Sequence, residues 1–584
     1  MRADNDHTRG RRGERSEASY EGGSYASRIS DDRLGKLFAV FSFLLLVVAV
    51  FLVRYQVVEA ATLKEKAQER RSDAVALTAK RGTIYDRNGN VLAMSEECKT
   101  IQCNPKEIKE PYLTAEVLVE HLGGESADYI DALTADGTFA YVKRKVDIEA
   151  ADAVRDELAE KGLPGISFIP DSRRVYPYGA VGGQVLGIVG IDGDGLSGLE
   201  LYYNDILRGT DGKMIIETGN YGTPIAGEYA TIEEAVDGTD IVVSLDINVQ
   251  RVAEENIVEG VKEYKADSGS VMVTDPTTGE ILAACSTPLL DASDLSVVEE
   301  GATSLKLVSD SYEPGSIFKV LTSAIGIEQG VVTSSSTFYV PAYLQVGDDM
   351  VSDDDDREED MYMSLREILR RSSNAGAALV AQEEIGADAF AEGIASFGIG
   401  QLTGIDYPGE VEGIVRARED YDGSSLGSMS FGQGLAIPLV QMVKAVGTVA
   451  DHGVAHTPHF LVSKGTETVE WPEGERVVSE NTSRQVVDMM RTVVEEGTGE
   501  NAQVPGYDVA GKTGTGELAD ATRGGYVEDK FTSSLIGFAP AAEPSVLVYV
   551  GLNGTPYLAY ASAAPVFSSI MSEALTDRGV LPAL

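Results

Sequence analysis

The segment Tyr312–Lys319 places a serine hydroxyl and a lysine amine three residues apart, at Ser316 and Lys319, directly after a Pro-Gly turn. An apolar run continues to Gly330, which predicts a buried helix that begins near Ser316. Residues i and i+3 are neighbours on a helix, so Lys319 is expected one turn from Ser316. The helix N-terminus adds unpaired N–H groups and a positive dipole end. The segment therefore offers a nucleophile, a base and oxyanion donors, which acyl transfer requires, although Ser-x-x-Lys alone is a common pattern.

Two later segments carry residues of matching chemistry. Arg371–Ala375 contains Ser-x-Asn, with Ser372 and Asn374, on a predicted turn between two helices. Val509–Thr515 is a predicted strand that contains Lys-Thr-Gly-Thr, with Lys512, Thr513, Gly514 and Thr515. Ser-x-x-Lys, Ser-x-Asn and Lys-Thr-Gly in this order match the motifs of the penicillin-recognising serine enzymes. On these residues the chain resembles a class B penicillin-binding protein, a peptidoglycan D,D-transpeptidase.

The resemblance implies a fold and a reaction. The fold is α+β: a penicillin-binding-protein transpeptidase domain, with an antiparallel sheet flanked by helices, on an elongated N-terminal pedestal with one N-terminal transmembrane helix. In the reaction, Ser316 attacks a D-Ala–D-Ala carbonyl, D-alanine leaves, and an amine of a neighbouring stem peptide resolves the acyl-enzyme. A β-lactam antibiotic acylates the same serine. No cofactor or metal is expected.

The resemblance also assigns roles to the other motif residues. Lys319 is the base and must be neutral, with its pKa lowered by burial and by the positive charge of Lys512. Ser372 bridges the two lysines and relays a proton to the leaving group, and Asn374 binds the donor peptide backbone. Thr513, Gly514 and Thr515 belong to the substrate-binding strand, where the two threonines hold the terminal carboxylate. The backbone N–H groups of Ser316 and Thr515 form the oxyanion hole.

Further motifs near the N-terminus support the resemblance. Arg81–Ala93 reads Arg-Gly-Thr-Ile-Tyr-Asp-Arg-Asn-Gly-Asn-Val-Leu-Ala, locally a strand, an Asn-Gly hairpin signal and a second strand. It is close to the N-terminal signature of class B penicillin-binding proteins. Arg173–Gly179 and the Gly-Leu-Glu at Gly198–Glu200 resemble the second and third pedestal motifs. Their implied role is structural, in packing the pedestal beneath the catalytic domain.

The pattern of polarity predicts five regions. Residues 1–33 are a polar, basic tail too poor in apolar residues to fold. Residues 34–56 contain an apolar run that predicts a membrane anchor, with a cleaved signal peptide as the alternative. Residues 57–80 are a charged stalk, 81–245 the pedestal of the dimerisation type, and 246–584 the transpeptidase domain. Basic residues before the anchor place the N-terminus in the cytoplasm, which leaves the catalytic domain outside the cell membrane.

Charge and composition limit the partners. The chain of 584 residues carries 93 acidic and 48 basic residues, a net charge of −45, so bulk charge does not favour nucleic acid. The partners come instead from the resemblance, which implies peptidoglycan stem peptides and lipid-linked nascent glycan, β-lactam antibiotics, and a polytopic glycan polymerase with other division proteins. The acidic run Asp353–Asp360 is predicted to be a solvated loop of unassigned function.

Other patterns invite competing interpretations. Gly506–Thr513 fits the phosphate-loop pattern, but a strand is expected there and no helix follows. The histidines at 452, 456 and 459 have helical spacing, but Gly453 and Pro458 interrupt any helix between them. Cys98 and Cys103 are as consistent with a bridge in an oxidising compartment as with two buried thiols.

The subclass is less specified than the family. The length, and the lack of a glycosyltransferase domain or C-terminal repeats, resemble the septal cell-division enzyme, with the elongation-specific transpeptidase as the alternative. A membrane-bound β-lactamase and a non-catalytic penicillin-binding sensor or scaffold are the remaining hypotheses. The acceptor amine, the oligomeric state and the septal or elongation role are not determined by the sequence.

Overall fold

The computed structural model describes residues 25–60, 72–217, 231–355, 357–519 and 526–582. The chain divides into two compact units, one of residues 1–75 and 213–232 and the other of residues 76–212 and 233–584. Most of the predicted tail (1–24) and part of the predicted stalk (61–71) lie outside the described residues.

A long apolar helix occupies the first unit. It spans Tyr25–Val53 and continues as a π-helical turn over Arg54–Val58. Within the described part of the chain, Arg33–Val58 is the one helical stretch long and apolar enough to cross a membrane, at 26 residues. Its length of about 39 Å exceeds the ~30 Å hydrocarbon core. The helix begins inside the segment predicted to be a disordered tail, because Tyr25 onwards continues the helical pattern.

A strand, Ser72–Leu77, lies where the charged stalk was predicted. It forms a three-stranded sheet with Gly212–Glu217 and Thr231–Glu233.

A seven-stranded sheet, named the pedestal sheet, organises the N-terminal half of the second unit. It is built on the long strand Val91–Cys103, which pairs antiparallel with Ile84–Tyr85, Ala140–Val146 and Ile166–Val175. The predicted hairpin turn is present: buried Asp86 accepts hydrogen bonds from the backbone N–H groups of Asn88 (2.9 Å) and Asn90 (2.8 Å).

A buried ion-pair cluster joins the three N-terminal motifs. Glu200 is fully buried and pairs with Arg81 at 2.5 Å and with Arg174 at 2.6 Å. Arg81 also donates to the backbone carbonyl of Glu200 and to Asn204 Oδ1 (2.8 Å). A buried carboxylate is tolerated when it is paired and hydrogen-bonded, as here. The structural role expected for these motifs is therefore explained by the Glu200 carboxylate, which ties the other two motifs together through their arginines.

The pedestal sheet takes strands from both predicted domains. Ile241–Val243 pairs parallel with Ile84–Tyr85 and antiparallel with Leu461–Lys464, and the latter pairs with Glu467–Thr468. A segment far along the chain thus completes this sheet. The domain limits themselves stay predictions.

The central sheet of the second unit has five strands, all paired antiparallel. In sheet order they are Ile281–Ser286, Ser268–Thr274, Val546–Thr555, Tyr526–Ala539 and Ala510–Ala519. Ile281–Ser286 and Val546–Thr555 are buried along almost their whole length, and two apolar clusters pack on the two faces of the sheet. The expected antiparallel sheet flanked by helices is confirmed. Ala510–Ala519, which carries Lys-Thr-Gly, is the strand at one edge of this sheet.

The remaining elements connect and cover these sheets. The helices are Pro111–Leu122, Ser126–Leu133, Ile148–Lys161, Gly183–Leu186, Gly198–Tyr202, Asn204–Leu207, Ile247–Glu263, Lys306–Ser309, Lys319–Glu328, Leu365–Arg371, Asn374–Leu379, Ala387–Ser396, Ser425–Ser430, Leu439–Ala450, Glu480–Glu496 and Ala563–Asp577. The short strand pairs are Ser311–Tyr312 with Ile437–Pro438, Thr337–Val340 with Met361–Ser364, Tyr343–Val346 with Asp349–Ser352, and Val454–Ala455 with Glu475–Arg476.

Candidate active site

The serine lies on a tight turn at the start of a buried helix. Gly315–Phe318 forms a 3-10 turn that leads directly into the helix Lys319–Glu328. Gly315 has φ +58°, a left-handed conformation that costs a residue with a Cβ about 1–2 kcal/mol. The Gly315 N–H donates to Gly432 O at 3.0 Å. This turn presents Ser316, which is only 4% exposed, at the first turn of the helix.

The Ser-x-Asn motif lies on a turn between two helices, as the sequence predicts. The helix Leu365–Arg371 is capped by Ser364 and ends at Ser372, which has φ +63°. Ser373 caps the following helix by accepting a hydrogen bond from the Gly376 N–H at 2.9 Å. A non-glycine residue in the left-handed region is uncommon and is held there by its surroundings.

The Lys319 amine is the point at which the first two segments meet. Its Nζ lies 2.6 Å from Ser316 Oγ and 2.6 Å from Asn374 Oδ1. It lies 2.7 Å from the backbone carbonyl of Ser372 and 3.2 Å from the Ser372 hydroxyl. Carbonyl and amide oxygens only accept hydrogen bonds. Two N–H groups of Lys319 are therefore committed, and the remaining position of the nitrogen faces the serine hydroxyl.

The third segment reaches the same hydroxyl from the edge strand. Lys512 Nζ lies 2.9 Å from Ser372 Oγ, although the two residues are 140 positions apart in the sequence. It also donates to the Thr513 carbonyl at 2.7 Å. Ser372 Oγ thus lies between the two lysine amines, and the three predicted segments converge on one site.

The substrate-strand residues line the same edge. Thr513 Oγ1 lies 3.3 Å from Lys512 Nζ, and Gly514 packs against Ser534 and Ile317, where a Cβ would approach the Ser534 hydroxyl to 2.5 Å. The Thr515 carbonyl would lie 3.4 Å from a Cβ on Gly315. The backbone at Thr515 therefore lies beside the serine turn.

Burial sets the ionisation of both lysines. Lys319 is 1% exposed and Lys512 is fully buried. Burial lowers the pKa of Lys319 to about 8, against the opposing charges of Asp354 and Asp353. Burial lowers the pKa of Lys512 well below its usual value, and the Lys319 charge lowers it further. The lowering of the Lys319 pKa was expected from burial and from the charge of Lys512. Burial is what lowers the pKa of Lys319, whereas the repulsion between the two lysines lowers the pKa of Lys512.

The acidic run contributes to the site in a way that its composition did not predict. Asp353 is 8% exposed and accepts hydrogen bonds from the Ser373 hydroxyl (2.8 Å) and the Ala375 N–H (3.0 Å). Arg357 pairs with the same carboxylate at 3.0 Å. The prediction of a solvated loop is therefore wrong for Asp353, whose desolvation is offset by these partners, while Asp354 and Asp355 are exposed as expected.

Thr498 is a second residue that sequence reasoning missed. Its hydroxyl lies 2.6 Å from Thr513 Oγ1. Thr498 follows the helix Glu480–Glu496 in a Gly-Thr-Gly triplet. A Cβ on Gly497 would lie 2.7 Å from the Arg370 carbonyl, so the glycine allows this turn to pack closely against Arg370. The sequence feature that could have pointed to Thr498 is its position between two glycines at the end of a helix.

The competing patterns have structural explanations. The Gly506–Thr513 pattern runs into the edge strand Ala510–Ala519, so a strand continues through Lys512 where a phosphate loop requires a helix to begin. His456 pairs with Asp451 at 2.7 Å, and the His459 ring stacks on Trp471. No group of three metal-ligating side chains occurs among the residues that the structure describes.

Cys98 and Cys103 are free and buried on one strand. Five residues along a strand span roughly 16 Å, too far for a disulfide.

Comparison with known proteins agrees with this architecture. The family model for the penicillin-binding protein transpeptidase domain matches residues 269–572, and the model for the penicillin-binding protein dimerisation domain matches residues 76–243. Penicillin-binding protein PbpB of Mycolicibacterium smegmatis is 31% identical over 581 residues, covering 92% of this chain and 89% of the relative. Peptidoglycan D,D-transpeptidase FtsI of Escherichia coli is 29% identical over 538 residues, covering 90% and 88%.

A solved structure shows the same fold. The crystal structure of penicillin binding protein 3 from Mycobacterium tuberculosis, complexed with aztreonam, has 26% sequence identity and a TM-score of 0.68. The match covers 87% of this chain and 98% of that one. Two family models in the order pedestal then transpeptidase, together with a relative above 30% identity over nearly the whole length, establish the family. The chain belongs to the class B penicillin-binding proteins, a family of peptidoglycan D,D-transpeptidases.

Proposed function

We propose that this protein crosslinks peptidoglycan stem peptides through an acyl-enzyme on Ser316, with release of D-alanine, and that β-lactams acylate the same serine. The observation that carries the proposal is the coordination of the Lys319 amine. Two acceptor-only oxygens occupy two of its N–H groups, and Ser316 Oγ lies 2.6 Å from the nitrogen. A neutral amine so held directs its lone pair at the hydroxyl proton and acts as the general base.

The lysine pair supports the required protonation state. The terminal carboxylate of the donor peptide binds beside Lys512, Thr513 and Thr515, and its negative charge favours the proton on Lys512. The resulting ammonium then favours a neutral Lys319, because two cations flanking Ser372 Oγ would repel. Ser372, which lies between the two amines, passes a proton from Lys319 towards the departing D-alanine amine.

The edge strand supplies the binding surface for the donor peptide. An edge strand leaves one row of backbone groups outside the sheet, so an extended peptide can pair with it. The carbonyl of the reacting bond would then lie between the serine turn and the Thr515 backbone, whose N–H groups hold the oxyanion. The bond from Ser316 Oγ to the carbonyl carbon forms as the bond to D-alanine breaks. An acceptor amine from a second stem peptide reverses the sequence and makes the crosslink.

The location follows from the helix and the charges that precede it. We propose a single-pass protein anchored by Arg33–Val58, with its N-terminus in the cytoplasm and the catalytic domain outside the cell membrane. Basic residues before the span support this orientation. Because this protein acts on nascent glycan, a polytopic glycan polymerase and division proteins are the proposed partners, and the septum is the proposed site of action. The elongation-specific role is the alternative.

The test is labelling of membranes with a fluorescent penicillin. Wild-type protein should be labelled, and mass mapping should place the adduct on Ser316. Ser316→Ala should lose the label, while Ser323→Ala, a buried serine on the same helix, should keep it. Labelling that persists in Ser316→Ala, or an adduct on another residue, contradicts the proposal.

Three further measurements separate the alternatives. Rapid turnover of benzylpenicillin would indicate a β-lactamase instead. Complementation of growth by Ser316→Ala would indicate a non-catalytic scaffold. Microscopy of a tagged copy distinguishes a septal position from a lateral-wall position.

A further inference from the structure

The Asn374 carboxamide is held at both ends. Its Oδ1 accepts from Lys319 Nζ at 2.6 Å. Its Nδ2 donates to Asp354 Oδ1 at 3.1 Å and lies 3.4 Å from the Ser352 carbonyl. A carboxylate and a carbonyl only accept hydrogen bonds, and Lys319 turns an N–H donor towards Oδ1 in either protonation state. Each end of the amide therefore faces a complementary partner, and the carboxylate is what fixes the NH2 end away from Lys319.

The negative charge of the same carboxylate acts on both lysines. Asp353 and Asp354 both favour the charged form of Lys319, and Asp354 also favours the charged form of Lys512. The two aspartates differ in their surroundings. Asp353 is buried against Arg357, whereas Asp354 accepts from a neutral amide and its side chain is exposed.

Other charged groups on the packed elements are paired elsewhere. Arg357 pairs with Asp353, and Arg371, which precedes the Ser-x-Asn motif, pairs with Asp355 at 2.7 Å. On the sheet side, Lys512 reaches the Ser-x-Asn turn. Among the residues that the structure describes, the charge balance of the site thus involves the two lysines, the Arg357-paired Asp353, and Asp354.

We propose that Asp354 is a positioning residue of this active site, whose carboxylate orients the Asn374 amide towards Lys319 and supplies a negative charge shared by both lysines. This inference rests on the proposed acylation of Ser316 with Lys319 as its general base. It gives the exposed part of the acidic run a specific role, because the carboxylate holds the base and its amide partner in register before the substrate arrives. It also predicts that charge and orientation are separable by substitution.

Two variants separate the effect of the Asp354 charge from its effect on the orientation of the Asn374 amide. Asp354→Asn keeps an oxygen that accepts from the Asn374 amide but removes the charge. Asp354→Ala removes both. Asp355→Asn is the matched control, because its carboxylate lies one residue further on and pairs with Arg371 instead of Asn374.

The readout is the second-order rate of acylation by a fluorescent penicillin, measured from pH 6 to pH 10 on the full chain in detergent. For Asp354→Asn we expect the rising limb of the profile to move to lower pH by on the order of 1 unit, because a stabilising negative charge is lost. For Asp354→Ala we expect the same shift and a plateau lowered about tenfold, because the amide is no longer oriented. Asp355→Asn should shift the limb much less.

The outcomes separate this inference from the proposed function. If wild type is labelled at Ser316 but Asp354→Asn has the wild-type profile, the inference is overturned and the function stands. An equal shift in Asp355→Asn also overturns it, because the effect would then belong to the whole run. If wild type is not labelled, the proposed function itself fails. Thermal unfolding of each variant checks folding, and Asp354→Asn decides if Asp354→Ala does not fold.

Discussion

Titration of Lys319 gives the most direct test of the proposed base. Its pKa is lowered by burial to about 8, and only the neutral amine can take the serine proton. With that pKa, about one tenth of the protein is competent at pH 7 and about nine tenths at pH 9. The acylation rate should therefore rise about tenfold between these two values.

Lys319→Arg is the variant that isolates the proton transfer. A guanidinium stays protonated throughout this range and cannot act as a base. Removing general base catalysis costs roughly 10²–10⁴-fold in rate, so acylation of Lys319→Arg should fall by that factor and lose its rise with pH. Lys444→Arg is the matched control, because Lys444 also has a pKa lowered by burial but lies on the helix Leu439–Ala450, outside the site.

The assay is quenched labelling with a fluorescent penicillin at several times and concentrations, at each pH, with thermal unfolding recorded for every variant. A wild-type rate that is flat between pH 7 and pH 9 would refute the assignment of the base. So would a Lys319→Arg protein that folds normally and acylates within a few-fold of wild type.

Three further predictions concern stability. Glu200→Ala leaves two buried arginines without their shared carboxylate, and we expect the free energy of unfolding to fall by roughly 3–5 kcal/mol in thermal or denaturant unfolding. Glu97→Ala removes an exposed pair with Lys80 and should change the stability little. Equal effects of the two substitutions would contradict the argument. Burial raises the pKa of Glu254 to about 7 from its ordinary 4.5, so the folded state binds this proton more tightly than the unfolded state and stability falls as pH rises from about 4.5 to about 7. Glu254→Gln should therefore be stabilised relative to wild type by up to about 3 kcal/mol at pH 8 and by little at pH 4, and a pH-independent difference would refute this. Gly315→Ala should lose about 1–2 kcal/mol of folding stability because residue 315 has a φ of +58°, and it should be acylated more slowly. Gly516→Ala, where a Cβ has open space, should be less affected. Unchanged stability and acylation rate in Gly315→Ala would contradict the strain argument.

The contact between Ser316 and Lys319 could be predicted from their spacing in the sequence. Ser316 and Lys319 are one helical turn apart, so their contact follows from a helix whose apolar run was visible in the sequence. Gly315 as a turn residue likewise follows from local chemistry, because the Pro-Gly pair before Ser316 indicates a turn. The antiparallel sheet and its covering helices were expected from the family resemblance and from strand and helix patterns, and both are present.

Contacts between distant segments could not be predicted from local sequence patterns. The run Asp353–Asp360 looks uniformly solvated in sequence, yet Asp353 is buried under Ser373. Strand Leu461–Lys464 completes the pedestal sheet, although its sequence does not indicate a partner at Ile241–Val243. Thr498 reaches Thr513 from a turn in which Gly497 packs closely against the Arg370 carbonyl, and no local pattern indicates either contact.

The sequence by itself determined which groups are available for chemistry and which of them share a helical turn, because helix and turn formation depend on near neighbours. The family resemblance implied that Ser372 bridges the two lysines. Only the tertiary structure brings Lys512 within 2.9 Å of the Ser372 hydroxyl and buries both lysines deeply enough to lower the pKa of each. Desolvation and charge coupling depend on every element that surrounds a group, and those elements come from positions far apart in the chain.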